Sequence, residues 1–366
     1  MEQILPAAFL ALVIVAVLTP GVAWLARRVG AVDAPGGRRV HARITPRMGG
    51  LAVILGFFAV FWLLLPELEP NFKAKQLLGF ALASLILLVA GLIDDKRGLP
   101  AWVQLMTHVG AGLTLVVVGM GIEEITNPFG GKLALDQLQI PFNLSGVEYH
   151  LTLPADLLTV AWVVLVINAI NWLDGLDGLA TGVGIISAFT IALLSLSAGV
   201  NQPHVALLAM ILVGALGGFL LHNFHPAKVF LGTAGSTFIG FAIATLGIIS
   251  GGKIATAVLV LGFPILDAMT IIIRRGLTSK AIWEADTTHL HHLLLARGFS
   301  VREAVLFIYG VSATFGGLAL VAGTTSGKVV AFVALALLMV GVLTWLARPA
   351  RAPASAGRRP ASKARR

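Results

Sequence analysis

Long apolar runs alternate with short polar breaks along this chain, and the runs are too long to be strands. Eleven can be marked, at about 3–26, 48–65, 76–93, 101–120, 155–173, 179–199, 203–221, 229–250, 254–273, 304–322 and 328–347. Each is close to the ~20 residues that a helix rising 1.5 Å per residue needs to cross a bilayer. The pattern predicts an all-α polytopic membrane protein with about eleven transmembrane helices. One interval, 121–154, has a different texture. There "KLALDQLQI" and "GVEYHLTL" alternate apolar and polar residues around the turn-like "PFNLSG". Such alternation predicts a small β-hairpin with a structural role.

Composition supports the class. Hydrophobic residues make up 57% of the 366, charged residues only 12%, and the mean hydropathy is +0.93. Soluble chains carry roughly 25% charged residues. The first run follows Glu2 without a basic stretch and exceeds signal-peptide length, so it reads as a retained span. There is no cysteine, which excludes disulfides and weakens the case for zinc.

Charge sets the expected orientation. The loops 27–47, 94–100, 171–178, 222–228 and 274–302, with the tail 348–366, hold 21 of the 26 lysines and arginines. Lys73, Lys75, Lys132, Lys253 and Lys328 lie on the other side. Positive residues stay inside, so the N-terminus is expected outside and the C-terminus in the cytoplasm. The net charge of +9 is then a topology signal, and no nucleic-acid partner is needed to explain it. The expected organisation is one integral-membrane domain over 1–347, with an extracytoplasmic hairpin loop at 121–154. A cytoplasmic loop at 274–302 and a basic, disordered, lipid-facing tail at 348–366 complete it.

Five polar clusters interrupt the runs: "RRVHARITPRMGG", "GLIDDKRGLP", "NAINWLDGLDGLATG", "HNFHPAKVFLGTAGSTFIG" and "EADTTHLHHLLLARG". All five fall on the predicted cytoplasmic side, although Asn, Asp, His and Gly played no part in assigning it. Asp94 and Asp95 are adjacent at a span end and repel unless a cation compensates. A hydrated helix end with Lys96 and Arg97 as partners is their plainer reading. Asn168, Asn171, Asp174 and Asp177 recur every third residue. On one helix they form a stripe of roughly 13 Å, about the length of a nucleotide diphosphate. Gly175 and Gly178 thin the surface beside it, although small packing residues and a cap would look similar.

Cationic and neutral donors complete the inventory. His289, His291 and His292 of "HLHH" can donate to phosphate oxygens near neutral pH. Arg38, Arg39, His41, Arg43 and Arg47 form a dense cationic loop, part of which the positive-inside bias explains. Lys228 precedes the glycine-rich turn "FLGTAGS", in which Gly235 and Ser236 lie among N–H groups suited to an anion. Carboxylates, carboxamides and cations at a bilayer surface suit transfer of a phosphorylated group between a soluble nucleotide and a lipid phosphate. The residues reach that reaction class and no substrate.

From residue 33 to about 298 the sequence resembles the polyprenyl-phosphate N-acetylhexosamine-1-phosphate transferases, relatives of phospho-MurNAc-pentapeptide transferase. "GLIDDKRGLP", "NAINWLDGLDGLATG" and "DTTHLHH" carry the resemblance, and "HLHH" matches the branch that uses UDP-N-acetylglucosamine. The resemblance implies eleven spans and a cytoplasmic active site in the bacterial inner membrane. It further implies transfer of a sugar 1-phosphate from a UDP-sugar to undecaprenyl phosphate, releasing UMP, with Mg²⁺ or Mn²⁺, as a first membrane step of cell-envelope polysaccharide synthesis. A homodimer is compatible with it. By resemblance, Asp94, Asp95, Asp174 and Asp177 are catalytic and Asn171 is associated with the metal. Arg39, His41, Asn168, Asn171, Lys228, Gly235, Ser236, His289, His291 and His292 bind substrate.

One position departs from the family pattern G-D-x-G-S. Its aspartate ligates Mg²⁺, and Thr233 stands there instead, a neutral hydroxyl in place of an anionic ligand. Thr287 and Thr288 also stand where basic residues are common. A working transferase and a silent nucleotide-binding scaffold therefore both remain open. A transporter is the third reading, and it would place its ionisable groups near the bilayer midplane rather than at span ends.

Overall fold

The computed structural model describes residues 2–34, 44–127, 130–144, 147–250, 254–278 and 289–347. The tail 348–366, the basic stretch 35–43 with Arg38, Arg39, His41 and Arg43, and most of the loop preceding His289 lie outside them. The first part of the chain forms α1 (Ile4–Val29), β1 (Val32–Asp33), β2 (Thr45–Pro46), α2 (Gly49–Leu63), α3 (Leu65–Leu68), α4 (Ala74–Arg97) and α5 (Ala101–Val117). Four strands follow: β3 (Glu124–Thr126), β4 (Lys132–Ala134), β5 (Leu138–Leu144) and β6 (Val147–Leu153). The next helices are α6 (Ala155–Leu173), α7 (Leu179–Leu196), α8 (Pro203–Asn223) and α9 (Gly232–Ile249). The chain then forms α10 (Ile254–Val260), α11 (Gly262–Thr278), α12 (Leu290–Ala296), α13 (Val301–Val321) and α14 (Thr325–Ala347).

Among the described residues eight helices are long and apolar enough to cross a membrane. The pair α10 and α11, bent by 81° at a short break, would make a ninth. Helices α2 and α5 fall in stretches expected to span, but have 15 and 17 residues. By length alone they fall short of the ~20 residues a perpendicular crossing needs.

The strands modify the expected hairpin. β5 pairs antiparallel with β6, Leu138 opposite Leu153 and Leu144 opposite Val147. "PFNL" thus belongs to a strand instead of the turn, while Lys132–Ala134 pairs with β3. This register pairs seven residues with seven.

Helix α9 is the axis of the bundle, buried without a break from Gly232 to Ile248. It packs on α2, α4, α6 and α7. Its sequence "GTAGSTFIGFAIATLG" explains why, since small residues let backbones approach where no water drives helices together. A methyl added at Gly50 of α2 would run into the backbone of Gly235, and one at Gly91 of α4 into Ala234. The N-terminal turn of α9 is thereby held against the last turns of α4.

Candidate active site

The acidic pair at the end of α4 meets the start of α9. Asp95 is buried, and its Oδ1 accepts the Thr233 N–H at 2.7 Å while Oδ2 accepts that of Ala234 at 3.4 Å. Arg47 Nε lies 3.4 Å from Oδ1. A carboxylate on the free N–H groups of a helix start satisfies donors that otherwise lack partners and complements the helix dipole. The N–H groups expected to hold an anionic ligand are therefore filled from within the protein. Gly232 makes this possible. It adopts φ +75°, and a Cβ there would sit 2.5 Å from Asp95 Oδ2.

Asp94 is only partly buried and accepts three hydrogen bonds. They come from the Leu99 N–H at 2.7 Å, the Gln104 side-chain amide at 2.9 Å and the Thr233 hydroxyl at 2.5 Å. Lys96 and Arg97 are exposed, so the pair is held by the Leu99 N–H, by Gln104 of α5, by the start of α9 and by Arg47 ahead of α2, not by its charged neighbours.

The expected polar stripe on one helix is corrected by the end of α6 at Leu173. Asn168 and Asn171 are helical, but Asp174 caps the helix and Asp177 sits in the turn that leads to α7. Gly178 closes that turn at φ +79°, left-handed geometry that a β-carbon disfavours. The carboxamides face inward. Asn168 donates to the Val164 carbonyl at 2.7 Å and lies 3.2 Å from His108 Nδ1 on α5, within the bundle. Asn171 accepts the Ser236 hydroxyl at 2.6 Å, which ties α6 to α9.

Asp177 Oδ2 lies 2.7 Å from His225 Nδ1 and accepts the Ala227 N–H at 3.0 Å. Arg302 Nε in turn donates to the His225 carbonyl at 3.1 Å. From below, the Tyr309 hydroxyl donates to the Gly178 carbonyl at 2.6 Å. Asp174 is different: its carboxyl is pushed up to about 7. Burial is the largest cause, Asp95 and Asp177 add repulsion, and Arg47 opposes them.

The histidines cluster tightly. His289 and His291 rings stack with centroids 5.3 Å apart, and His292 lies 4.2 Å from His291. His289 Nδ1 lies 2.6 Å from Asp267 Oδ2 of α11. His291 is buried, neither ring nitrogen has a hydrogen-bond partner among the described residues, and burial holds it well below the usual imidazole range. A Cβ at Gly175 would sit 2.5 Å from its Nε2, so this ring packs on the acidic turn.

These parts enclose a cavity of about 260 Å³. Asp174, Asp177 and His292 line it, together with Asp33, Arg47, Asn223, His225 and Gly232. Asp94, Asp95 and Thr233 adjoin this wall through Gly232, and Ser236 ties Asn171 of α6 to the same first turn of α9, outside the lining. Three expected ligand-binding residues lie elsewhere. Asn168 is spent on α5, Gly235 packs on Gly50, and Lys228 is exposed outside the lining. Arg39 and His41 lie outside the described residues. Asp267 was missed, although an aspartate in the apolar run "FPILDAMT" is itself a signal, because ionisable groups inside spans are expensive. No three His, Asp or Glu side chains form a ready-made metal cluster among the described residues.

The profile of glycosyl transferase family 4 matches residues 77–251, which include the acidic pair, the α6–α7 turn and the start of α9. A probable undecaprenyl-phosphate N-acetylglucosaminyl 1-phosphate transferase of Bacillus subtilis is 36% identical over 321 residues, 86% of this chain and 84% of that protein. The chain belongs to this family. It is a polytopic phosphoglycosyl transferase of glycosyl transferase family 4. The decaprenyl-phosphate N-acetylglucosaminephosphotransferase of Mycobacterium tuberculosis is 35% identical over 80% of this chain and 75% of its own length. The undecaprenyl-phosphate α-N-acetylglucosaminyl 1-phosphate transferase of Yersinia pestis is 29% identical over 78% and 74%. The family profile ends before Asp267 and the histidine cluster, of which His292 lines the cavity.

Proposed function

We propose that this transferase moves N-acetylglucosamine 1-phosphate from UDP-N-acetylglucosamine to undecaprenyl phosphate and releases UMP. The active site would open at the cytoplasmic face of a bacterial inner membrane. The observation that carries the reading is the convergence on one cavity of the α4 end, the α6–α7 turn, the α9 start and the α12 start. The relatives' names supply the sugar and the lipid class. The orientation rests on the lysine and arginine distribution, with α2 and α5 crossing as short spans and α10–α11 as one, which makes eleven.

The chemistry follows from the residues. A lipid phosphate oxygen attacks the sugar-bearing phosphorus, the bridge to the second phosphorus breaks, and UMP leaves. Asp94, partly exposed and held by three donors, would orient the attacking phosphate. Asp95 is committed to α9 and Arg47 and fixes the floor of the site. Arg47, His292 and His225 face the negative charge of the diphosphate.

A dication fits this cavity on donor chemistry. Asp174 has a carboxyl whose charge is opposed by burial and by two neighbouring acids, and a dication would relieve both. Mg²⁺ typically uses one or two carboxylates together with substrate phosphates and water, so a ready-made cluster is not required. Asp174, with Asp177 beside it, would hold the ion, and the ion would neutralise diphosphate charge. Thr233 takes no such part, because its hydroxyl is given to Asp94. The test is UDP-N-acetylglucosamine carrying ³²P in the sugar phosphate. The label should pass into the organic phase with undecaprenyl phosphate as acceptor, and label that stays aqueous, or leaves as free phosphate, contradicts the reading.

A further inference from the structure

The α11 aspartate stands outside the family profile and outside the cavity lining, yet it lies 2.6 Å from a ring of the histidine cluster. Asp267 is 3% exposed in the interior of a membrane helix. Its Oδ2 lies 2.6 Å from His289 Nδ1, and its Oδ1 accepts the Leu290 N–H at 3.0 Å. One carboxylate thus grips both the ring that precedes α12 and the first N–H of that helix. A buried carboxylate demands strong partners, and these two are what the site provides. Facing an acceptor-only carboxylate, His289 must carry a proton on Nδ1. Its ring then stacks on His291 at an interplanar angle of 16°, and His291 lies against His292, which lines the cavity.

We propose that Asp267 is a positioning residue for the histidine cluster. By fixing the Nδ1–H form of His289 and the direction of α12, it sets where His292 meets the diphosphate of the nucleotide. This rests on the transferase reading for its ligand, but the clamp itself does not.

The test uses the full-length protein in detergent, with Asp267→Asn, His289→Asn and the double variant. An asparagine nearly preserves shape, and its oxygen cannot serve both the His289 ring and the Leu290 N–H as two carboxylate oxygens do. Selectively ¹⁵N-labelled histidine spectra, assigned with His289→Asn, should show His289 as the Nδ1–H form in the unmodified chain. In Asp267→Asn that signal should move toward Nε2–H. In UMP-release assays kcat/KM for the donor should fall about tenfold to a hundredfold, the scale for a hydrogen bond to a charged group. The double variant should be no worse than His289→Asn. An unchanged His289 signal, a kcat/KM within threefold of the unmodified chain, or losses that multiply in the double variant would each overturn the proposal. Should Asp267→Asn fail to fold, the tautomer in the unmodified chain still decides the clamp, since an Nε2–H signal rules it out. Absence of UMP from the unmodified chain and from Thr233→Asp would sink the transferase reading instead, and the spectra would still judge the clamp.

Discussion

The Thr233 hydroxyl donates to Asp94 Oδ2 across 2.5 Å. The same residue gives its backbone N–H to Asp95, so one threonine bridges both members of the acidic pair. Its proton satisfies a carboxylate that would otherwise be open to a cation. Both carboxyls of the pair are thus met by donors of the protein itself.

A carboxylate in place of that hydroxyl would reverse the sign of the contact. Thr233→Asp is expected to lower the thermal midpoint in metal-free detergent by several degrees, through repulsion from Asp94 and Asp95. Millimolar Mg²⁺ should restore it, and should move the unmodified chain much less. Differential scanning fluorimetry with and without the ion measures both, and equal responses of the two proteins would count against this account of the site.

The Asp174 carboxyl is pushed up to about 7 by burial first, then by Asp95 and Asp177. An acid raised in the folded state keeps a proton that the unfolded chain has released. Stability from this group is therefore full below 3.8 and is lost as pH rises towards about 7. Asp174→Asn mimics the protonated acid. Without added dication, its melting temperature relative to the unmodified chain should climb between pH 4 and 7 and then level off. A flat difference across that window would show that Asp174 is not strained.

Gly175 leaves room for His291, and no side chain can replace it without moving that ring. Gly175 is itself exposed, but an alanine methyl there must displace the buried His291 ring, so Gly175→Ala should cost about 1 kcal/mol of stability, the low end for overpacking. Because His291 packs beside His292, donor KM should rise as well. Calorimetry and initial rates at varied UDP-N-acetylglucosamine concentration would measure the two effects.

Tyr309→Phe removes the hydrogen bond to the Gly178 carbonyl while keeping the ring packed on Gly182. The expected cost is about 1 kcal/mol. Turnover should change little, since the turn retains its Asp177 bonds to His225 and Ala227. A large loss of rate in this variant would mean that the turn is less well held than its contacts indicate.

The apolar runs announced nearly every long helix, because span length and hydrophobicity are written locally. The acidic pair, the α6–α7 turn and "HLHH" were legible for a related reason: polar residues at span ends stand out against so apolar a background. Partnership was not legible. That Asp95 would cap α9, or that Asn168 would turn to His108, depends on glycines that bring helices together from distant parts of the chain, such as Gly91, which meets Ala234, and Gly112, which meets Val160. The stripe from Asn168 to Asp177 misled because a spacing of three continues through the helix end at Leu173, where periodicity alone carries no stop signal. Asp267 escaped for the opposite reason. It is a single polar residue in an apolar run, and its meaning appears only when His289, 22 residues away in sequence, arrives beside it.

The most direct measurement is UMP release from UDP-N-acetylglucosamine, by the unmodified chain and its Thr233→Asp variant in parallel, with Mg²⁺ and with or without undecaprenyl phosphate. The account predicts UMP that depends on the lipid acceptor, formed in equal amount with lipid-linked sugar phosphate, and faster in the variant. UMP from neither protein, or UMP formed equally well without the lipid, would contradict it.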